Sequence, residues 1–258
     1  MKILLTNDDG ISAKGLLALK NELSKIADCV VVAPECEQSA VGHAITISKP
    51  LMVKEVKRDG RFWGYAVAGT PADCVKLGIQ ELVKGKIDMV VSGINRGANV
   101  GVNILYSGTV SATTESIILG VPSIAISLDS YAHDADYASA SKIARQIVSF
   151  FAKTPQTDCS FNVNVPAVED SKIKKVCFVS QGKGHFAESF EKRMTPRGDA
   201  YYWRISESFV GENNIESDAT LLSQGIVTIT PIHFNMTDYR TLQELLNQNI
   251  NELLVLEN

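Results

Sequence analysis

Short apolar runs rich in β-branched residues recur along this chain. Most are followed by a polar loop, often containing glycine or proline, and several of those loops open a helical pattern. This alternation limits the fold more than any other feature. Ile3-Leu4-Leu5 leads into Asp8-Asp9-Gly10, and Leu16, Leu19, Leu23 and Ile26 then mark one helical face. Cys29-Val-Val-Val-Ala33 closes on Pro34, so the chain opens as strand, helix, strand. Residues 88–93 and 123–128 repeat the buried-strand pattern. Runs this apolar have no polar face to give to water, as expected of a mostly parallel sheet covered on both sides.

The alternation is interrupted once. Residues 44–48, 51–56 and 62–67 read as extended, and Asp59-Gly60 between the last two predicts a hairpin turn. Thr70-Pro71-Ala72-Asp73 then reads as a helix start: a capping hydroxyl, a proline suited to the first helical position, and an acid near the positive dipole end. On this reading Asp73 is structural. A helix follows over 110–119, stopped at Gly120 with Pro122 beyond it. Another is predicted over 137–151, strands over 161–166 and 175–179, and a glycine-punctuated polar stretch over 181–198. Residues 201–206 read as extended, with Tyr201-Tyr202-Trp203 suited to packing on a core or a partner subunit ahead of stacking against a base. A strand over 226–230 is expected to end at Pro231, and a last helix covers 238–246.

The totals exclude several classes. A net charge of −4 does not supply the basic surface of a protein that coats duplex nucleic acid. The five cysteines are odd in number, irregularly spaced and lack any CxxC, which argues against a disulfide framework or a zinc site. The apolar stretch after Lys2 is too short for a signal-peptide core, and no run reaches membrane-spanning length. The expectation is a cytoplasmic protein without membrane contact.

Two stretches carry candidate chemistry. In open α/β sheets ligands bind outside the carboxyl ends of the strands, where Asp8 and Asp9 are expected. Adjacent acids there fit a hard cation, although the same residues serve equally well as turn formers and helix caps. Ser39 and Asn95 lie just past two other predicted strands. With Asp8 and Asp9 they make an all-oxygen set suited to magnesium, manganese or calcium. The second stretch is the long loop from Gly93 to Thr109, whose last residues, Ser107-Gly108-Thr109, open a helix. Free backbone N–H groups, two hydroxyls and the helix dipole make an anion site there, or else Ser107 or Thr109 is simply a cap. A cation beside an anion site that also includes Asn99 points to phosphate-ester hydrolysis. Asp8 or Asp9 is then the general base, or one of them forms an aspartyl-phosphate. His43 is a candidate metal or acid residue, though a lone loop histidine is more often structural. Walker A, G-x-G-x-x-G, H-E-x-x-H and G-x-S-x-G patterns are absent.

These motifs, in order, resemble the SurE survival-protein family. The resemblance is carried by Asn7-Asp-Asp-Gly10, Ala13-Lys-Gly15-Leu16, Pro34 with Gln38-Ser39 and Gly42, and Gly69-Thr-Pro-Ala-Asp-Cys74. It continues through Ser92-Gly-Ile-Asn95 with Gly97, Asn99 and Gly101, then Tyr106-Ser-Gly-Thr-Val110, Gly120-Val-Pro122, 162–166 and Thr228-Ile-Thr-Pro231. The resemblance implies a Rossmann-like three-layer α/β/α core over 1–180, with the small β insertion at about 44–67. It implies an extended C-terminal hairpin and final core strand over 181–230, used in oligomerisation, and an exchanged tail helix over 231–258. It implies a phosphomonoesterase hydrolysing nucleoside 5'- and 3'-monophosphates, and short polyphosphate, as a homodimer or homotetramer. One divalent cation per subunit, Mg²⁺ or Mn²⁺ with Ca²⁺ as a further occupant, would be held by Asp8, Asp9, Ser39 and Asn95. Asn99, Ser107, Gly108 and Thr109 would contact substrate phosphate. The sequence departs from the family after Tyr202-Trp203, where Arg204 follows instead of a nearby glycine.

Two other classes fit parts of the pattern. One is a non-catalytic nucleotide- or metal-binding regulator on the same fold, since fold alone does not decide function. The other is a phosphatase with an aspartyl nucleophile, a class whose two acids usually stand one residue apart rather than adjacent.

Overall fold

The computed structural model describes residues 1–211 and 216–248. The chain runs β1 (Lys2–Thr6), α1 (Lys14–Leu23), β2 (Asp28–Pro34), β3 (Val53–Arg58), β4 (Arg61–Val67) and α2 (Pro71–Leu77). It continues through β5 (Met89–Arg96), α3 (Gly108–Ile118), β6 (Ser123–Asp129), α4 (Ala138–Phe151), β7 (Ser160–Pro166) and β8 (Val176–Phe178). Then come β9 (His185–Met194), β10 (Ala200–Val210), α5 (Asp218–Ser223), β11 (Val227–Ile232) and α6 (Tyr239–Leu246). Nine strands form one sheet in the order β3-β4-β2-β1-β5-β6-β7-β11-β8. The run from β4 to β7 is parallel throughout, while β3 and β11 pair antiparallel with β4 and β7.

Strand alternation assigns the two faces. Ile3 and Leu5 pack with Leu16, Leu19 and Leu23 of α1 and Ala144 and Val148 of α4. Leu4, between them, joins Cys74 and Val75 of α2 and Ala112 of α3 on the opposite face. The sheet is therefore the middle of three layers, as its apolar strands require.

The β3–β4 turn has Asp59 at φ +51° and Gly60 at φ +75°, the two successive left-handed residues that a type I′ hairpin demands. Thr70 and Asp73 form a reciprocal capping box on α2. Residues 44–48, expected to be extended, form no strand and are instead tied to the capped start of α2. Ala44 O accepts from Thr70 Oγ1 at 2.7 Å and Thr46 N donates to Asp73 at 3.0 Å. Pro231 does not end β11, which continues to Ile232. The neighbouring β8 pairs only as far as Ile229, so the missing N–H of Pro231 interrupts no ladder on that side.

Beyond the layers, β9 and β10 form a separate two-stranded antiparallel ribbon, within the stretch expected as a hairpin. It exposes Phe190, Tyr202 and Trp203. In the tail expected over 231–258, α6 is capped by Asp238 and buries none of its residues within the chain. Residues 249–258 of that tail lie outside the described residues. No helix among the described residues is long and apolar enough to cross a membrane.

Candidate active site

The carboxyl ends of β1, β2 and β5 are neighbours in the sheet, so their loops converge. Asn7 Nδ2 donates to Gly10 O at 2.9 Å and closes the turn that carries the two acids. Gln38 N donates to Asp8 O at 2.7 Å, which ties the Ser39 loop to that turn. β5 runs on to Arg96, further than its apolar pattern indicates. Between Ser92 and Asn95 it gains one residue relative to β6, a bulge that redirects the strand end bearing Asn95.

Asp8, Asp9, Ser39, Asn95, Asn99 and Ser107 all line one cleft of about 480 Å³. Six expected residues thus come together from four separate segments. Gly108 and Thr109 do not line it; they lie behind Asp8. Thr109 N donates to Asp8 Oδ2 at 3.0 Å, and Thr109 Oγ1 donates to Asp8 Oδ1 at 2.5 Å. A side chain at position 108 would place its Cβ 2.8 Å from Asp8 Cβ, so glycine lets the start of α3 approach this closely. Ser107 Oγ caps α3 by accepting from Val110 N at 3.1 Å, which leaves its O–H to point elsewhere.

Burial raises the Asp8 carboxyl above its usual range, against the opposing pull of the two Thr109 bonds. Asp9 is pushed up to about 6, first by burial and then by the charge of Asp8. The backbone N–H of Arg96, 3.3 Å from Asp9 Oδ2, and the Arg96 charge work the other way. Two acids raised together by burial, one of them also by the other's charge, form a site that a cation would stabilise. Asn95 donates its Nδ2 to Gly97 O at 2.8 Å, so its amide oxygen is the end left for a ligand. Among the described residues no group of three or more His, Cys, Asp or Glu could hold a metal ion. A cation here would therefore rest on two carboxylates and neutral oxygens and keep several waters, the manner of Mg²⁺ or Mn²⁺. The donor set fits such an ion.

His43 does not reach the cleft. Its Nε2 lies 2.9 Å from Glu115 Oε2 and its Nδ1 3.2 Å from Thr114 Oγ1, so it anchors the Ser39 loop to α3. Lys76 pairs with the other Glu115 oxygen. Several lining residues were not singled out from the sequence. Tyr131 and His133 follow β6, and extending the strand-end rule by one strand would have found them. Arg96 ends β5, and its Nη1 lies 2.9 Å from His133 Nδ1. Glu188 and Arg204 come from the ribbon, where they form an ion pair across β9 and β10. No local pattern signals them.

The family model for Survival protein SurE matches residues 3–188. The chain is 54% identical over 247 residues to the 5'-nucleotidase SurE of Syntrophus aciditrophicus, covering 95% of this chain and 92% of that protein. It is 44% identical over 252 residues to the 5'-nucleotidase SurE of Syntrophobacter fumaroxidans, covering 97% and 100%. It also matches the crystal structure of the SurE protein from Aquifex aeolicus with a TM-score of 0.82 and 36% identity, over 95% of this chain and 98% of that one. The convergence of the two acids, the Ser39 loop and the Asn95 strand end on one cleft thus belongs to a chain that is a member of the SurE survival-protein family.

Proposed function

We propose that this chain is a phosphoric monoester hydrolase, a 5'-nucleotidase that releases phosphate from nucleoside 5'-monophosphates. One observation carries the reading: two adjacent carboxylates share a cleft with Ser39, Asn95, Asn99 and Ser107, an arrangement suited to a cation and a phosphate side by side. The names of the relatives support the same substrate class. The finer parts of the proposal are dependence on one Mg²⁺ or Mn²⁺ per subunit, activity on 3'-monophosphates and short polyphosphate, and assembly into dimers or tetramers. Exposed aromatic residues on the ribbon and the unburied α6 favour assembly.

Asp8, Asp9, Ser39 and Asn95 would hold the cation, which when bound polarises the phosphoryl oxygens and lowers the pKa of water. Asn99 and the Ser107 hydroxyl would hold the phosphate oxygens by hydrogen bonds. Gly108 and Thr109 serve the phosphate indirectly, by fixing Asp8 at the cleft floor. Asp8 has a bond on each oxygen and is buried, whereas Asp9 is less buried and, among the described residues, accepts a hydrogen bond on Oδ2 alone. That contrast favours water over Asp8 as nucleophile, with Asp9 Oδ1 accepting its proton. The test is phosphate release from a panel of nucleoside monophosphates, with Mg²⁺ or Mn²⁺ and with EDTA. Absence of release with either metal would overturn the enzyme reading; release unaffected by EDTA would overturn the metal requirement.

A further inference from the structure

Asn99 is held more firmly than a loop residue needs to be. Its backbone N donates to Asn164 Oδ1 at 2.8 Å, and its backbone O accepts from Asn164 Nδ2 at 3.0 Å. The Asn164 amide thus does what a neighbouring strand would do, engaging both backbone groups of one residue. A second buried amide, Asn162 Nδ2, donates to the same Asn99 oxygen at 2.8 Å. The Asn99 side chain is fixed separately, because its Nδ2 donates to Ser127 Oγ at 2.8 Å. Asn162 and Asn164 are two residues apart on β7 and therefore share a face, while Ser127 is directly opposite Asn164 on β6. All three are fully buried.

Such a set is costly in a sheet interior. Buried amides are tolerated where their groups are paired, and Asn162 Oδ1 has no partner among the described residues. An apolar residue there would serve packing at least as well. What the three side chains share is Asn99. Ser127 accepts one of its two amide hydrogens and so fixes the plane of the group, leaving the second N–H and the oxygen for the cleft.

We propose that Asn164, Asn162 and Ser127 are positioning residues that set the Asn99 amide for the phosphoryl group. They touch no substrate themselves. The proposal rests on the reading of Asn99 as a phosphate contact and adds how that contact is aimed. A group that must meet an oxygen in the transition state loses its effect steeply when it moves by a fraction of its bond length.

The experiment is a double-mutant cycle on the full-length protein with saturating Mn²⁺ and a nucleoside 5'-monophosphate. The variants are Asn99→Ala, Asn164→Leu, Ser127→Ala and the doubles of Asn99→Ala with each. Leucine keeps the branching and heavy-atom count of asparagine while removing its hydrogen bonds, at the cost of some extra volume. Ser127→Ala is the milder variant and decides the matter if Asn164→Leu does not fold. Asn164→Leu and Ser127→Ala are each expected to lower kcat about 10- to 100-fold. Inhibition by inorganic phosphate should weaken in parallel, while Mn²⁺ affinity stays constant. Each double should be no worse than Asn99→Ala alone, because without the Asn99 amide there is nothing left to aim. Effects that multiply with Asn99→Ala overturn the proposal, since the clamp would then act on folding or on another group. Full activity in Ser127→Ala and in folded Asn164→Leu overturns it too. If Asn99→Ala itself keeps full activity and phosphate inhibition, the phosphate role of Asn99 fails and takes the clamp's purpose with it. Loss in Asn99→Ala with full activity in the other two overturns the clamp alone.

Discussion

Thr109 directs both of its donors at one carboxylate, its N–H at 3.0 Å to Asp8 Oδ2 and its hydroxyl at 2.5 Å to Asp8 Oδ1. The first turn of α3 therefore clamps the first of the two adjacent acids of the β1 loop, and the start of this helix serves a side chain of the protein as well as facing a cleft. A carboxylate held this way has its orientation set before any ligand arrives.

Thr109→Val keeps the shape and the N–H bond but removes the hydroxyl. A hydrogen bond to a charged group contributes about 1.5–3 kcal/mol, so kcat/KM is expected to fall roughly 10- to 100-fold. Thr109→Ser should recover most of it. Steady-state kinetics on the pair checks this; equal activity of the valine variant and the parent would remove Thr109 from the account.

Gly108→Ala tests the same contact by steric means. The new Cβ would stand 2.8 Å from Asp8 Cβ and 3.0 Å from Asp8 Oδ2. Either the carboxylate or the helix start must shift, at a cost of about 1–3 kcal/mol. Activity should fall much more than stability, because the displaced group is Asp8. Thermal unfolding run beside activity and Mn²⁺ titration separates the two. Unchanged Mn²⁺ affinity would contradict the placement of Asp8 as a ligand.

How far such relationships are legible from residues alone depends on what sets them. Asp8, Asp9, Ser39 and Asn95 could be brought together because each follows a run of apolar residues, and adjacent parallel strands present their carboxyl ends on one edge. The partner of Thr109 could not be found that way. It depends on how closely α3 approaches β1, a distance set by the absent side chain of Gly108. Pro231 reads as a strand end, yet its tolerance inside β11 follows from the short reach of β8. The six residues of α5 are too few to show a helical period. Glu188 and Arg204 enter the cleft on a ribbon whose direction no local pattern encodes.

Glu115 lies outside the cleft and makes stability depend on pH. Burial pushes its carboxyl up, but the hydrogen bonds and charges of His43 and Lys76 outweigh this and hold it below its usual 4.5. A carboxyl with a lowered folded-state pKa contributes stability above its unfolded value, and that contribution disappears as pH falls through the folded one. The parent should therefore exceed Glu115→Gln in thermal midpoint at pH 7, by an amount corresponding to about 1–3 kcal/mol. The gap should narrow as pH drops below 4.5. Melting curves over that range read it directly; a constant gap would show that the interaction is not one of charge.

Tyr201, Trp203 and Ile205 alternate along β10 and so share a face, and Trp203 is 58% exposed. The opposite face carries Arg204 toward the cleft, paired with Glu188. A two-stranded ribbon has little stability alone, and large exposed aromatic residues on it mark a surface to be covered. Trp203→Ser should therefore weaken self-association, with the apparent mass in solution falling toward one chain on dilution. Because Trp203 points away from the cleft face, activity per folded subunit should change less than assembly does. Light scattering after size-exclusion chromatography, run on parent and variant at matched concentrations, decides the point. A parent that is monomeric at every concentration would show that this face covers itself against nothing of its own kind.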